Sequence, residues 1–278
     1  MTARALALIC LIWGFNFVVM KVANFYFSPE TFATYRIVLG AAFLFAFAMW
    51  KKIPTPPKKD WIWIFFTGAL NIALALALCQ YSFRFLSAGL VSMLNYTMPI
   101  WVTILAYFFL HETLTQKKII GIILSLVGAA VLMNVDISGK FSAMLIPLAA
   151  AIVWAIGNVI MKAKLAKLQP LVLTTWQMVV GAILLAIYTA GFGEVEARWT
   201  LTSVACLLYN GIIASSLAFF LWAYVLEHMD ASKASISVLG VPVVGVLGGV
   251  ICLGEPLTIS IVVGMIMVLS GIVLVQHS

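Results

Sequence analysis

Ser92-Met93-Leu94-Asn95-Tyr96-Thr97-Met98-Pro99 and, 143 positions later, Ser235-Ile236-Ser237-Val238-Leu239-Gly240-Val241-Pro242 share a serine and a proline in one register. The register extends outward from this pair. At the same offset Gly68 meets Gly211, Tyr81 meets Tyr224, Glu112 meets Glu255, Gly121 meets Gly264 and Gly128 meets Gly271. At an offset of 141, Trp13 meets Trp154, Met20 meets Met161, Lys21 meets Lys162, Pro29 meets Pro170, Thr34 meets Thr175, Gly40 meets Gly181 and Leu44 meets Leu185. In a chain this apolar, leucine on leucine means little. Proline, tryptophan, tyrosine, glutamate and lysine coinciding in one register mark an internal duplication, with halves over residues 1–135 and 141–278.

The duplicated unit is apolar almost throughout. Of 278 residues, 64% are apolar and 9% charged, and the mean hydropathy is +1.15, against about 25% charged residues in soluble domains. Ten stretches approach the roughly 20 residues that a membrane-spanning helix needs: Ala3 to Ala23, Thr31 to Trp50, Trp61 to Phe83, Ala88 to Leu110, Ile119 to Val135, Phe141 to Met161, Leu171 to Phe192, Leu201 to Leu226, Ala231 to Leu253 and Ile259 to Val275. Hydrocarbon leaves backbone N–H and C=O groups no water to bond, so helices are the expected form. Arg4 followed by an apolar run imitates a signal peptide, but the run is long for one and no A-x-A site follows, so it is read as the first helix. Five spans per half is an odd number, so the second half starts on the opposite side of the membrane from the first. The expected fold is an all-α integral membrane protein of ten transmembrane helices in two inverted five-helix repeats, a plan that lets a central site open to either side in turn.

The net charge of +7 does not indicate nucleic acid. Its basic residues collect in alternate connections: Lys51, Lys52, Lys58 and Lys59 in the second, Lys117 and Lys118 in the fourth, Lys162, Lys164 and Lys167 in the sixth, with Arg4 and Lys233 on the same side. The positive-inside rule makes that side cytoplasmic, together with both termini. The lipid bilayer is the partner this charge addresses. Cys10, Cys79, Cys206 and Cys252 lie within apolar stretches without a C-x-x-C pair, which favours packing over disulfides or metal.

Polar groups inside such spans are costly and point to interior or wet positions. Pro99 and Pro242 lie in the fourth and ninth stretches and remove a helical hydrogen bond at equivalent repeat positions. They are read as hinges. Around Pro99, Asn95, Tyr96 and Trp101 suit the lining of a cavity for a small amphiphilic solute. Trp13 and Asn16 on the first helix are echoed by Trp154 and Asn158 on the sixth. The two asparagines are one position out of register, and interhelical bonding competes with solute contact. Lys21 and Lys162, near helix ends, are read as snorkelling. Arg36 follows a helix start of Ser28, Pro29 and Glu30 and has two readings, binding an anionic substrate group or anchoring backbone carbonyls. Its repeat counterpart Gln177 follows Trp176, and Gln80 and Tyr81 complete the candidate substrate-binding set.

The nine acidic residues and three histidines all fall in connections or at span ends, so proton coupling is not indicated. There is no G-x-x-x-x-G-K-[ST] loop, metal-ligand cluster or nucleophile triad. No enzyme activity, cofactor or metal is expected. Gly121, Ser125 and Gly128, with Gly264 and Gly271, and Gly245 with Gly249, are read as close helix contacts.

Taken together, Trp13-Gly14 with Asn16 and Lys21, Pro29, Arg36, Tyr96-Thr97-Met98-Pro99, Leu110-His111-Glu112-Thr113-Leu114, Trp176-Gln177-Met178, Val241-Pro242-Val243 and Leu253-Gly254-Glu255-Pro256-Leu257 resemble the EamA family of the drug/metabolite transporter superfamily over the whole chain. His111 stands where the family often has glycine. The resemblance implies ten helices, a multi-pass cell inner membrane protein with cytoplasmic termini, and alternating access. It further implies a small-molecule substrate, with export of amino acids or related metabolites the leading expectation. A multidrug exporter and a sugar or nucleotide-derivative transporter are the alternatives within transport. A membrane-embedded enzyme or receptor is the alternative outside it. Monomer and dimer both fit.

Overall fold

The computed structural model describes residues 2–133, 141–193, 195–231, 234, 238 and 240–276. The readings placed on Lys233 and Ser235, and on Asp136, Glu194 and His277 among the acidic residues and histidines, lie outside those residues. The described chain is helical: α1 (Thr2–Ala23), α2 (Pro29–Trp50), α3 (Lys58–Ser82), α4 (Ala88–Leu110), α5 (Gln116–Met133), α6 (Phe141–Leu165), α7 (Pro170–Phe192), α8 (Leu201–His228), α9 (Gly240–Leu253) and α10 (Ile259–Gln276). Seven of them, α1 to α4 and α6 to α8, are long and apolar enough to cross a bilayer, and Gly240–Leu253 and Ile259–Gly271 supply shorter apolar stretches. Among the described residues the β-structure is confined to one isolated bridge, Phe27 with Ala197.

Local chemistry sets the helix ends. Ser28 caps α2 by accepting from the Thr31 N–H, Pro29 takes the first turn, and Thr200 and Ser203 form a reciprocal capping box on α8. His111 and Gly254, equivalent by the repeat register, both adopt left-handed backbone with φ of 55° and 65°. Histidine tolerates that conformation better than most residues, which accounts for His111 standing where glycine is usual.

Solvation is inverted relative to a soluble bundle. Leu11, Phe108, Phe109 and Ile251 are exposed, whereas Arg36, Asn71, Gln80, Asn158, Gln177 and Asn210 are buried. Apolar side chains face outward as a lipid solvent demands, and polar ones collect inside, where partners exist.

Packing exchanges between the halves. α1 lies on α9 as α6 lies on α4, α2 on α8 as α7 on α3, and α1 on α8 as α6 on α3, while α2–α7 and α5–α10 pair equivalents directly. These direct pairs are antiparallel. Thr34 of α2 bonds the Leu185 carbonyl at 3.2 Å and the Thr189 hydroxyl at 2.7 Å, while Phe45, further along α2, meets Trp176, earlier in α7. Ser125 of α5 donates to the Val268 carbonyl at 3.1 Å, and a Cβ on Gly128 would lie 2.8 Å from that of Met267. The small residues there let two backbones approach, as expected of their spacing.

The proline signals resolve into helix starts. α4 ends its first segment at Asn95, turns through Tyr96 and Thr97, and resumes at Met98 with Pro99 in the first turn. In the second half Val238 lies in a turn, the Val241 N–H reaches its carbonyl at 3.1 Å, and Pro242 sits in the first turn of α9. A first-turn proline needs no N–H partner. A π-helical segment, Gly68–Leu74 in α3, recurs at the equivalent Tyr209–Leu217 in α8.

Candidate functional site

The interrupted α4 opens onto a cavity between the halves. Its void is about 70 Å³, and its lining includes Trp13, Asn16, Phe17, Met20, Arg36, Cys79, Asn95, Tyr96, Met98, Trp154, Ser215 and Phe219. Six of the sequence candidates therefore meet there: Trp13, Asn16, Arg36, Asn95, Tyr96 and Trp154. The walls are aromatic. Trp13 and Trp154 meet edge to face at 5.8 Å, and Phe219 packs on both at 5.6 and 5.3 Å.

Against these walls stands one charged group. Arg36 is 1% exposed. Its Nη1 donates to Asn210 Oδ1 at 2.9 Å, but Nε and Nη2 have no hydrogen-bond partner. No described residue lining the cavity is acidic. The Phe32 ring centroid lies 5.9 Å from the guanidinium carbon. Leaving guanidinium donors unpaired in a low-dielectric interior is costly, so an oxyanion entering the cavity finds a partner of matching geometry. Two more unsatisfied polar atoms accompany it, Trp154 Nε1–H and Asn16 Oδ1. Trp13 Nε1–H, by contrast, is bound to the Ala214 carbonyl at 3.0 Å.

The other candidates lie elsewhere. Asn158 is a junction rather than lining: its Oδ1 accepts from Asn71 Nδ2 at 3.1 Å and Trp222 Nε1 at 3.2 Å. Gln80 ties α3 to α1 through Asn24 Oδ1 and the Met20 carbonyl. Gln177 donates to Thr67 Oγ1 at 2.7 Å. That pair is the repeat image of Arg36–Asn210, because Arg36 plus 141 is Gln177 and Thr67 plus 143 is Asn210. The duplicated cross-link thus carries charge in one half only. Trp101 bonds Thr97 Oγ1 at 3.2 Å, Trp176 packs on Phe45 and Trp61, and Tyr81 lines a separate crevice with Glu30 and Arg84, themselves paired at 3.3 Å.

The lysine reading changes. Lys21 Nζ donates to the carbonyls of Phe83 and Leu86 at 2.7 and 2.8 Å, and Lys162 Nζ to those of Leu226 and Met229 at 3.0 and 2.8 Å. Both cap a helix C-terminus of their own half instead of reaching headgroups, because the free carbonyls there attract a cation. Asn210, Phe219 and Cys79 had no place among the candidates. The signal for Asn210 was present in its register with Thr67.

The profile of the EamA-like transporter family matches the chain twice, over residues 3–134 and 141–276. "Uncharacterized transporter YoaV" of Bacillus subtilis is 32% identical, covering 95% of this chain and 92% of its own length. A "probable amino-acid metabolite efflux pump" of Salmonella typhimurium is 27% identical over 95% of this chain and 91% of its own, and the protein of the same description from Escherichia coli is 26% identical over the same shares. A crystal structure superposes with a TM-score of 0.76 at 15% identity, covering 99% of this chain and 97% of the other, a likeness of fold. Two family units joined in one apolar helical chain make this a multi-pass membrane transporter, and the chain belongs to the EamA-like transporter family.

Proposed function

We propose that the protein exports amino acids or related small amphiphilic metabolites by alternating access, through ten spans arranged as two inverted five-helix repeats. The observation that carries this reading is the buried Arg36 guanidinium, with Nε and Nη2 unpartnered in a cavity walled by Trp13, Trp154 and Phe219. A carboxylate docks on Arg36, and the apolar body of the solute lies against the rings and the thioethers of Met20 and Met98. The antiparallel α2–α7 and α5–α10 pairs support the inverted arrangement, and the basic connections support cytoplasmic termini in a cell membrane. Pro99 and Pro242, each in the first turn of a helix at equivalent repeat positions, act as the hinges. The efflux-pump descriptions of the Salmonella and E. coli relatives agree with export of amino-acid metabolites.

Counterflow into proteoliposomes against a panel of labelled amino acids tests the reading. Saturable uptake of apolar amino acids, lost in Arg36→Gln, is expected. Uptake that is equal in Arg36→Gln and the parent protein refutes the role of Arg36, and no uptake of any amino acid refutes the substrate class.

A further inference from the structure

The same cavity carries a second message, which rests on the carboxylate reading above and narrows it. We infer that the α-ammonium of an amino acid is dispensable here and that the site accepts des-amino carboxylic acids with apolar bodies at least as well as the amino acids themselves. The charge inventory is one-sided. Arg36 is the sole formal charge among the described lining residues, and it is a cation. Two carboxylates at helix ends have partners of their own: Glu30 is paired with Arg84 at 3.3 Å, and Glu255 accepts from the Ala88 and Gly89 amides at 2.6 and 3.0 Å. An ammonium in the cavity would find neutral oxygens on Asn16, Asn95 and Ser215, and ring faces already committed in part to one another. Its carboxylate, held on Arg36, would fix it a few ångströms from a like charge, and low dielectric strengthens that repulsion. Removing the ammonium removes the repulsion and the cost of dehydrating an ion with no counter-charge.

The asymmetry of the repeat supports this. Gln177–Thr67, the uncharged image of Arg36–Asn210, lines no part of the cavity and has its amide nitrogen satisfied at 2.7 Å. One half of the molecule thus supplies anion recognition and the other supplies no matching acid. The ligand class is an apolar monocarboxylate, with or without a 2-amino group. Apolar amines, and amino acids whose carboxylate is masked as an ester or amide, are excluded.

The test is binding to the purified full chain in nanodiscs, read by thermal shift and by displacement of labelled phenylalanine. Probes are phenylalanine, leucine, 3-phenylpropionate, 4-methylpentanoate and phenethylamine. The expected result is that 3-phenylpropionate and 4-methylpentanoate bind within about threefold of, or more tightly than, their amino counterparts, and that phenethylamine binds at least about 100-fold more weakly, as loss of a charge-assisted bidentate pair implies. Arg36→Gln should abolish acid binding. It should fold, since glutamine occupies the equivalent position of the other repeat. Arg36→Lys keeps the charge without the planar fork and should retain part of the acid binding. If the amino acids bind and the des-amino acids do not, this inference falls and the amino-acid reading stands. If the des-amino acids alone bind, the amino-acid reading falls and this one stands. Binding of phenethylamine alone, or of no probe, overturns both.

Discussion

Glu255 offers the sharpest test of how the two halves are joined. Its carboxylate lies in the α9–α10 connection and accepts from the Ala88 N–H at 2.6 Å and the Gly89 N–H at 3.0 Å, at the start of α4 in the other half. Ser87 Oγ accepts from the Leu90 N–H at 3.2 Å and the Ser87 carbonyl from Val91 at 3.0 Å, so every amide of that helix start is satisfied. Hydrogen bonds to a charged group contribute about 1.5–3 kcal/mol each, and partial exposure to water lowers the sum for this pair to about 2–4 kcal/mol. Glu255→Ala should therefore destabilise the protein by about that amount, and Glu255→Gln, with one acceptor oxygen, by about half of it. An independent perturbation reaches the same contact. A Cβ on Gly249 would collide with Glu255 Oε2, so Gly249→Ala should displace the carboxylate and resemble Glu255→Ala. Thermal unfolding in one detergent ranks the variants, and hydrogen exchange at Ala88 and Gly89 reads the contact directly. Unchanged melting of Glu255→Ala, or unchanged protection at those amides, refutes the assignment of Glu255 as a tie between the halves.

Tyr96 and Trp101 separate lining from packing: Tyr96→Ala should weaken substrate binding at least about tenfold, whereas Trp101→Ala should leave binding intact, with counterflow affinity the readout. Lys21→Met and Lys162→Met each strand two helix-terminal carbonyls and should lower stability by about 1–3 kcal/mol, with Arg substitutions restoring part of it in thermal melts. Pro99→Ala restores an N–H at the start of the second α4 segment and should slow turnover in counterflow while leaving the binding constant unchanged; unaltered turnover removes the hinge.

Much of the architecture was legible in the chain as written. A bilayer leaves the backbone no partner but itself, so apolar stretches of sufficient length had to be helices, and proline, tryptophan and lysine coinciding in one register marked the two family units. Trp13, Tyr96 and Trp154 were singled out as polar-tipped aromatics and do border the cavity, but the same reasoning also picked Trp101 and Trp176, which do not, and it left Arg36 with two readings. The helices themselves gave little indication of which face turns inward, because apolar residues lie on every side of α1, α2 and α10, polar ones such as Asn16 and Arg36 being few. Asn16 and Asn158 look alike in sequence, yet one faces the cavity and the other binds Asn71 and Trp222. Lys21 and Lys162 read as headgroup-seeking until the neighbouring helix ends appeared beside them. What tertiary structure alone decided was which polar atoms were left over. Arg36 meets Asn210 across 174 positions of chain and keeps two nitrogens unpaired, and no local pattern determines that balance, since it depends on what every other helix brings to the same space.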